Sequence, residues 1–559
     1  MILKIQRTHF SSARSTWPLL LCGVATTFVS SPATAQTAAT PQTTLEAGPP
    51  SPTAGATAPN EAPVTSTASA ASAAPIASAK SPSVAKPAPP PFAPIKIGSS
   101  TLSIYNRTRI ESWDFFQGRA GAGGNAGDGR YNFVGNLLRV GILNAKPRRD
   151  LQFEIAQPSV FNLPSDAIAS GPGTAGQGLL GLGANYFQSN QKTNDAGIFV
   201  KQAFVRFKRA PSGDALRLGR FEWSDGAETT PKDAILAWLK RERIASRLFA
   251  NFGFSHAQRS FDGGQLSLGG LKNNFTLTAL RPTGGVFHMD GNGELSDIDV
   301  LYGAYTRPGA TSDARVFASL YRDGRGADVV KVDNRPLAVR VADRQDIAIT
   351  TLGAHYLRDF EAGSGKADVL FWGALQGGDW GTQSHRASAF ALEAGYQPSG
   401  SRLKPWLRAG YFKGSGDNNA SDDRHQTFFT HLNTPRQYAR FPFYNMMNNE
   451  DTFAQLILRP NKNTTFRVEA HALRLASAGD LFYAGGGAFQ NCNFGFNGRP
   501  SGGQSDLANV YDISLDRQLS AHTSLSLYLA MARGGGVIQN IFREDSNGRF
   551  GFIEVTNRF

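Results

Sequence analysis

Arginines set two residues apart among apolar neighbours are the side chains of this chain best placed for chemistry. Arg107 and Arg109 alternate with Leu102, Ile104, Thr108 and Ile110, and Glu111 falls on their own side. Arg206, Arg408 and Arg467 hold similar positions, and Arg220 and Arg259 stand in short stretches rich in Gly and Phe. A guanidinium is planar, permanently charged and able to grip both oxygens of a carboxylate. A row of them along one path selects anions. On alternation, Glu111, Glu154, Glu393 and Glu469 share the arginine face, so some of these charges are expected to pair. The plain alternative is a salt-bridge ladder that only stiffens a polar wall.

Other chemistry is thin. His256, His355, His385 and His471 lie on or near extended stretches, but there is no G-x-S-x-G, no H-E-x-x-H and no P-loop. No enzyme is expected. Asp417, Asp422 and Asp423 crowd one polar loop, and Ca²⁺ takes oxygens of this kind. A structural Ca²⁺ there is the only cofactor the residues suggest, although the loop lacks the Gly and distal Glu of an EF-hand.

The elements that must carry these residues are strands. From Ile95 onward, stretches of eight to twelve residues alternate apolar and polar, which marks a strand with two different environments. Leu151, Phe153 and Ile155 oppose Gln152 and Glu154; Phe466, Val468, Ala470 and Ala472 oppose Arg467, Glu469 and His471. The connections break the tie between a soluble sandwich and a membrane barrel. Short turns (146–150, 210–214, 308–313, 361–366, 398–402, 460–463, 520–523) interleave with long loops (114–130, 158–197, 223–256, 323–346, 415–452, 477–507). Outer-membrane barrels are built this way, with short periplasmic turns and long extracellular loops. The reading is an all-β, transmembrane antiparallel barrel of about eighteen strands. Their centres fall near 105, 138, 153, 203, 218, 264, 278, 302, 318, 353, 371, 392, 408, 456, 468, 512, 528 and 555. One segment, Asp233 to Phe249, has helical periodicity and is expected as a short helix packed at the barrel mouth.

The rest of the chain agrees with that setting. Lys4, Arg7 and Arg14 precede an apolar run from Trp17 to Val29 and a small-residue site at Ala33-Thr34-Ala35, which predicts a signal peptide over 1–35. Residues 36–94 are mostly Ala, Pro, Ser and Thr and predict an extended linker. The barrel region is then 95–559. The two cysteines, Cys22 and Cys492, exclude a cysteine-rich metal cluster. The net charge of +13 would suggest nucleic acid in a cytosolic protein. Behind a signal peptide it suggests anionic lipopolysaccharide or a lumen that attracts anions. The chain ends in Phe559 with apolar residues at alternate positions before it, a pattern suited to the outer-membrane barrel assembly machinery.

Four stretches carry a resemblance to a known family. They are Leu218-Gly219-Arg220-Phe221; Arg259-Ser260-Phe261-Asp262-Gly263; Trp372 to Gly381 with His385 and Ala387; and Ala409-Gly410-Tyr411 through Ser415-Gly416-Asp417 to Asp422 and Thr427-Phe428. A weaker fifth is Leu475-Ala476, then Asp480 and Tyr483. In order and spacing they resemble the alginate export family of outer-membrane porins, over most of residues 100–559. The resemblance implies an eighteen-stranded barrel in the bacterial outer membrane, in contact with its lipid and lipopolysaccharide. It also implies a basic lumen that passes an anionic saccharide. A general uptake porin for small nutrients is the alternative, with a barrel enzyme or a surface adhesin behind it.

Overall fold

A strand that meets lipid on one side must alternate, and the backbone of every strand must be paired, because lipid offers no hydrogen bonds. The structure, a computed structural model, describes residues 95–559 except 121–122, 171–176, 210–211, 270–272 and 435–439. The expected signal peptide and linker, with Cys22, lie outside the described residues.

Eighteen strands form the wall. They are β1 (Ser100–Asp114), β2 (Arg130–Ala145), β3 (Arg149–Phe161), β4 (Phe199–Arg209), β5 (Asp214–Phe221), β6 (Phe261–Leu268), β7 (Asn274–Pro282), β8 (Ile298–Pro308) and β9 (Ser312–Asp323). The second half is β10 (Ile347–Ala362), β11 (Gly365–Trp380), β12 (Gln383–Pro398), β13 (Trp406–Gly414), β14 (Asn449–Asn461), β15 (Thr464–Arg474), β16 (Asp506–Gln518), β17 (Thr523–Gly534) and β18 (Asn547–Arg558). Each pairs antiparallel with the next, and β18 returns to β1 from Tyr105↔Arg558 to Asp114↔Arg549, closing the barrel. Every expected strand centre falls inside one of these strands, including those near 218 and 264. At the closure the Phe559 backbone exchanges two hydrogen bonds with Ile104, and its ring stacks on His522 at 4.9 Å.

The two faces separate as the alternation requires. Leu277, Leu301, Leu352, Leu392, Leu529 and Ile553 point outward and are exposed, as a lipid-facing band must be. Phe207, Phe275, Tyr305, Tyr356 and Phe360 add exposed aromatics toward the short-turn rim, where such rings anchor a barrel. The long-short alternation breaks once at the other rim: β11 and β12 are joined by only Gly381 and Thr382. Gly381 has φ +61°, and an added Cβ would press on the Asp343 carboxylate and Lys331.

The inward face is covered rather than wet. Trp372, Trp406, Tyr302 and Arg315 project from the wall and are fully buried. What covers them is chain from the long-loop rim, chiefly 222–260, 415–434, 440–448 and 475–505. This corrects the expected position of the helical segment. It is a helix from Ala234–Leu239, capped by Asp233 through its bonds to the amides of Ile235 and Leu236 and continued by one wide turn over Lys240–Ile244. It lies inside the barrel near the short-turn rim, with Trp238 4.6 Å from Trp406 at the start of β13. Its apolar face finds no partner at a mouth open to water, whereas the wall offers Trp406 and a set of buried carboxylates.

Candidate functional site

The inserted segment 222–260 is held at its two ends by charge. Deep in the barrel, Arg243 and Arg247 from the segment and Arg408 from β13 converge on one carboxylate, Glu393 of β12. The contacts are 2.9 and 3.0 Å from Arg243 Nε, 3.4 Å from Arg247 and 3.0 Å from Arg408. Arg408 also grips Asp368 of β11. All five side chains are essentially inaccessible. Each guanidinium rests on a ring as well: Arg243 on Phe453 at 4.5 Å, Arg247 on Trp372 at 5.0 Å and Arg408 on Trp406 at 5.0 Å. One helical turn earlier, Lys240 reaches Thr229 and Asp313, and His355 Nε2 lies 2.7 Å from the same aspartate.

At the other end, the segment's tip docks on β1. Arg107 donates to the carbonyls of Gly253, Phe254 and Ser255 at 2.7, 3.3 and 2.6 Å. Arg109 donates to Glu111, Glu554 and the Phe254 carbonyl, and lies 3.6 Å above the Phe254 ring. His256 follows, its ring pressed onto the bare Gly135 of β2, where an added Cβ would sit 2.1 Å from Nε2. Arg259 sends its guanidinium to the carbonyls of Ala488 and Gly486 in the 475–505 segment, locking two insertions together. Near the start of the segment, Asp225 and Glu228 face Arg315 of β9. Burial pushes Asp225 up to about 6. Burial also penalises Glu228, but Arg315 and the Tyr302 hydroxyl hold it down at about 2.

The residues expected on sequence grounds divide accordingly. Arg107, Arg109, Glu111, Arg259 and Arg408 come together with the inserted segments inside the barrel. Arg206 is inward but at the short-turn rim, half-exposed and paired with Asp150. Arg467 lies 3.7 Å from Asp516, and Glu469 belongs to a separate cluster on β15. Glu154 pairs with Arg139.

Arg220 is the correction. It shares the face of the exposed Leu216 and Leu218, while its neighbour Phe221 enters the core. It pairs with Asp262 on the outer wall and donates to the Asn292 carbonyl. The alternation through Phe221 decides its side. In the acidic loop, Asp417 accepts from the Asn419 amide and Asp422 from the Arg424 amide. Among the described residues, metal-ligand atoms of Glu469, His471 and Asp512 converge within 4.8 Å of one another.

Strand alternation had no means of finding Arg243 and Arg247. The available signal was helical: Leu236, Lys240, Arg243 and Arg247 recur three or four apart, which puts cations on the apolar stripe of the helix. Such a stripe needs buried carboxylates opposite it, and Glu393 and Asp313 supply them.

Comparison with known proteins follows the fold. The model of the alginate export family matches residues 165–552, well over half of the chain. No curated protein matches it in sequence. Among solved structures, Acinetobacter baumannii OccAB2 is similar over 83% of this chain and 99% of its own, at 9% identity and a TM-score of 0.50. Pseudomonas aeruginosa OccK5 (OpdH) is similar over 82% and 98%, at 9% identity and a TM-score of 0.47. The likeness to OccAB2 bears on the barrel fold alone.

Proposed function

The chain belongs to the alginate export family, and from that premise we propose that it is a channel of the bacterial outer membrane that passes an anionic saccharide, a polyuronate or its acidic fragments, through a gated lumen. The short-turn rim then faces the periplasm and the long loops face outward, the arrangement general to such barrels. Lipid and lipopolysaccharide surround the outward apolar band.

The observation that carries the reading is the convergence of Arg243, Arg247 and Arg408 on Glu393. Two arginines of the inserted segment share one wall carboxylate with a third arginine. Three guanidiniums face two carboxylates there, Glu393 and Asp368. A uronate carboxylate offers each guanidinium the same two-oxygen acceptor that Glu393 offers. A guest chain can therefore take over the bonds that seat the segment, one pair at a time, without leaving an arginine bare. Passage requires that exchange, because the seated segment leaves these wall side chains without access to solvent. No step of this breaks or forms a covalent bond, and the family and fold are those of channels.

The test is conductance in a planar bilayer, with reversal potential measured across a salt gradient and polyuronate titrated in. The expected result is a gated, anion-selective current that polyuronate blocks, with block weakened by Arg408→Gln. A large, unselective current that polyuronate leaves untouched would overturn the proposal in favour of general uptake of small solutes.

A further inference from the structure

Away from the Glu393 cluster, the wall carries a second set of charged side chains that the transport reading does not use. Three neighbouring strands, β14, β15 and β16, bring it together by register. Gln455 stands opposite Glu469, Glu469 opposite Asp512, and Phe453 opposite His471. Glu469 and His471 are two residues apart on β15 and so share the inward face. One ligand atom each from Glu469, His471 and Asp512 lie within 4.8 Å of one another, and all three residues are buried.

The hydrogen bonds around the set orient it. His471 Nδ1 lies 3.0 and 3.1 Å from the two oxygens of Asp451. With the proton on Nδ1, Nε2 carries a lone pair. That nitrogen is buried, makes no hydrogen bond, and points toward Glu469, whose Oε2 lies 3.5 Å away. Glu469 Oε1 accepts from Gln455 Nε2 at 2.5 Å, and Asp512 Oδ2 accepts from the Tyr528 hydroxyl at 3.2 Å. Each carboxylate is thus steadied through one oxygen. A histidine held by a carboxylate through one nitrogen, with the other nitrogen unspent, is the arrangement that proteins use to orient a metal ligand. Among the described residues, the nearby cations Arg440 and Arg467 lie against Asp516, at 3.2 and 3.7 Å.

We infer that Glu469, His471 and Asp512 bind one divalent transition-metal ion of the zinc class on the lumen wall, with Asp451 as the partner that orients His471. The donor set selects the class. Ca²⁺ takes six to eight oxygens, whereas one imidazole nitrogen with two carboxylate oxygens suits Zn²⁺, Co²⁺ or Mn²⁺. Metal–ligand bonds of about 2.1 Å in a tetrahedron put ligand atoms roughly 3.4 Å apart. Side-chain rotation closes the remaining distance without moving the strands. The ion would join β15 to β16 and relieve the repulsion among three buried carboxylates.

The test uses the full chain folded in detergent, stripped with a chelator, and titrated with Co²⁺ under visible absorption and with Zn²⁺ by calorimetry. One saturable equivalent is expected, with cobalt bands that zinc displaces. Glu469→Gln and Asp512→Asn should abolish it, and Asp451→Asn should weaken it roughly 10- to 100-fold. Asp423→Asn, in the acidic loop, should leave it unchanged. Heat-modifiable migration on a gel reports whether each variant barrel is folded, and the unmodified chain decides the matter by itself. Absence of a saturable equivalent in that chain would overturn the inference and leave His471 as an imidazolium between its carboxylates. Unaltered affinity and spectrum in a folded His471→Gln variant would overturn it equally.

Discussion

Glu393→Gln should release the inserted segment while sparing the barrel. The amide keeps the size of the carboxylate and removes its charge. In the seated state it leaves Arg243 and Arg247 buried against a neutral group, with Phe453 and Trp372 beside them. Arg408 retains Asp368 in both states. Breaking a buried ion pair by removing one partner costs about 3–5 kcal/mol, because an uncompensated charge stays behind. Here the cost falls on the seated state, since the two arginines of the segment regain water when it is displaced. The equilibrium should therefore shift toward the displaced segment by roughly 100- to 4,000-fold. Single-channel recording reads this as a rise in open probability, and hydrogen exchange reads it as lost protection over 234–244. Amides at the β11–β12 ladder should exchange as before. If gating and exchange both match the unaltered chain, the cluster does not seat the segment and the reasoning fails. If the ladder amides lose protection too, the carboxylate serves the wall and not the gate.

Two further outcomes are expected. Gly135→Ala puts a Cβ 2.1 Å from His256 Nε2, and overpacking of this kind costs about 1–3 kcal/mol. The tip at 253–256 should lift from β1, raising open probability with the barrel still folded; unchanged single-channel traces would count against the docking described for Arg107. Acidification should loosen the insertions. Burial pushes His256 down to about 4, His431 to about 3 and His425 well below its ordinary value, so each loses stabilisation as pH falls below about 6.5. Burial pushes Asp225 and Asp480 up to about 6, so each gains as pH falls from there toward the ordinary carboxylate value. At about 1.4 kcal/mol per group per pH unit, three histidines outweigh two carboxylates between pH 7 and 5 by on the order of 3 kcal/mol. Proteolysis of the 415–434 segment should be faster at pH 5 with an acid-tolerant protease of known intrinsic pH profile; equal or slower cleavage would contradict the sign.

The wall of this protein could be read from its sequence because lipid permits so little. A strand between lipid and an inward face has to alternate, and Leu392 between Ala391 and Glu393, or Phe153 between Gln152 and Glu154, leaves no choice of side. Strand number and closure follow from the same constraint. Arg220 shows its limit, since its place in a family-like stretch made it a candidate for the lumen while Phe221, which must be buried, turns it out. The insertions answer to no such rule. Asp417, Thr427, Asp480 and Tyr483 stand in stretches that carry the family resemblance, yet only the fold shows that they meet: the Asp417 amide and the Thr427 hydroxyl donate to one oxygen of Asp480, and the Tyr483 hydroxyl to the other. Likewise Arg243, Arg247, Arg408 and Glu393 share a cluster although 150 residues separate Arg243 from Glu393. The sequence by itself determined the barrel, because each strand's pattern is a local response to two solvents. Only the tertiary structure decided that the lumen is filled and by which charges, because a buried arginine is fixed by the carboxylate opposite it, and that pairing is a contact across the chain.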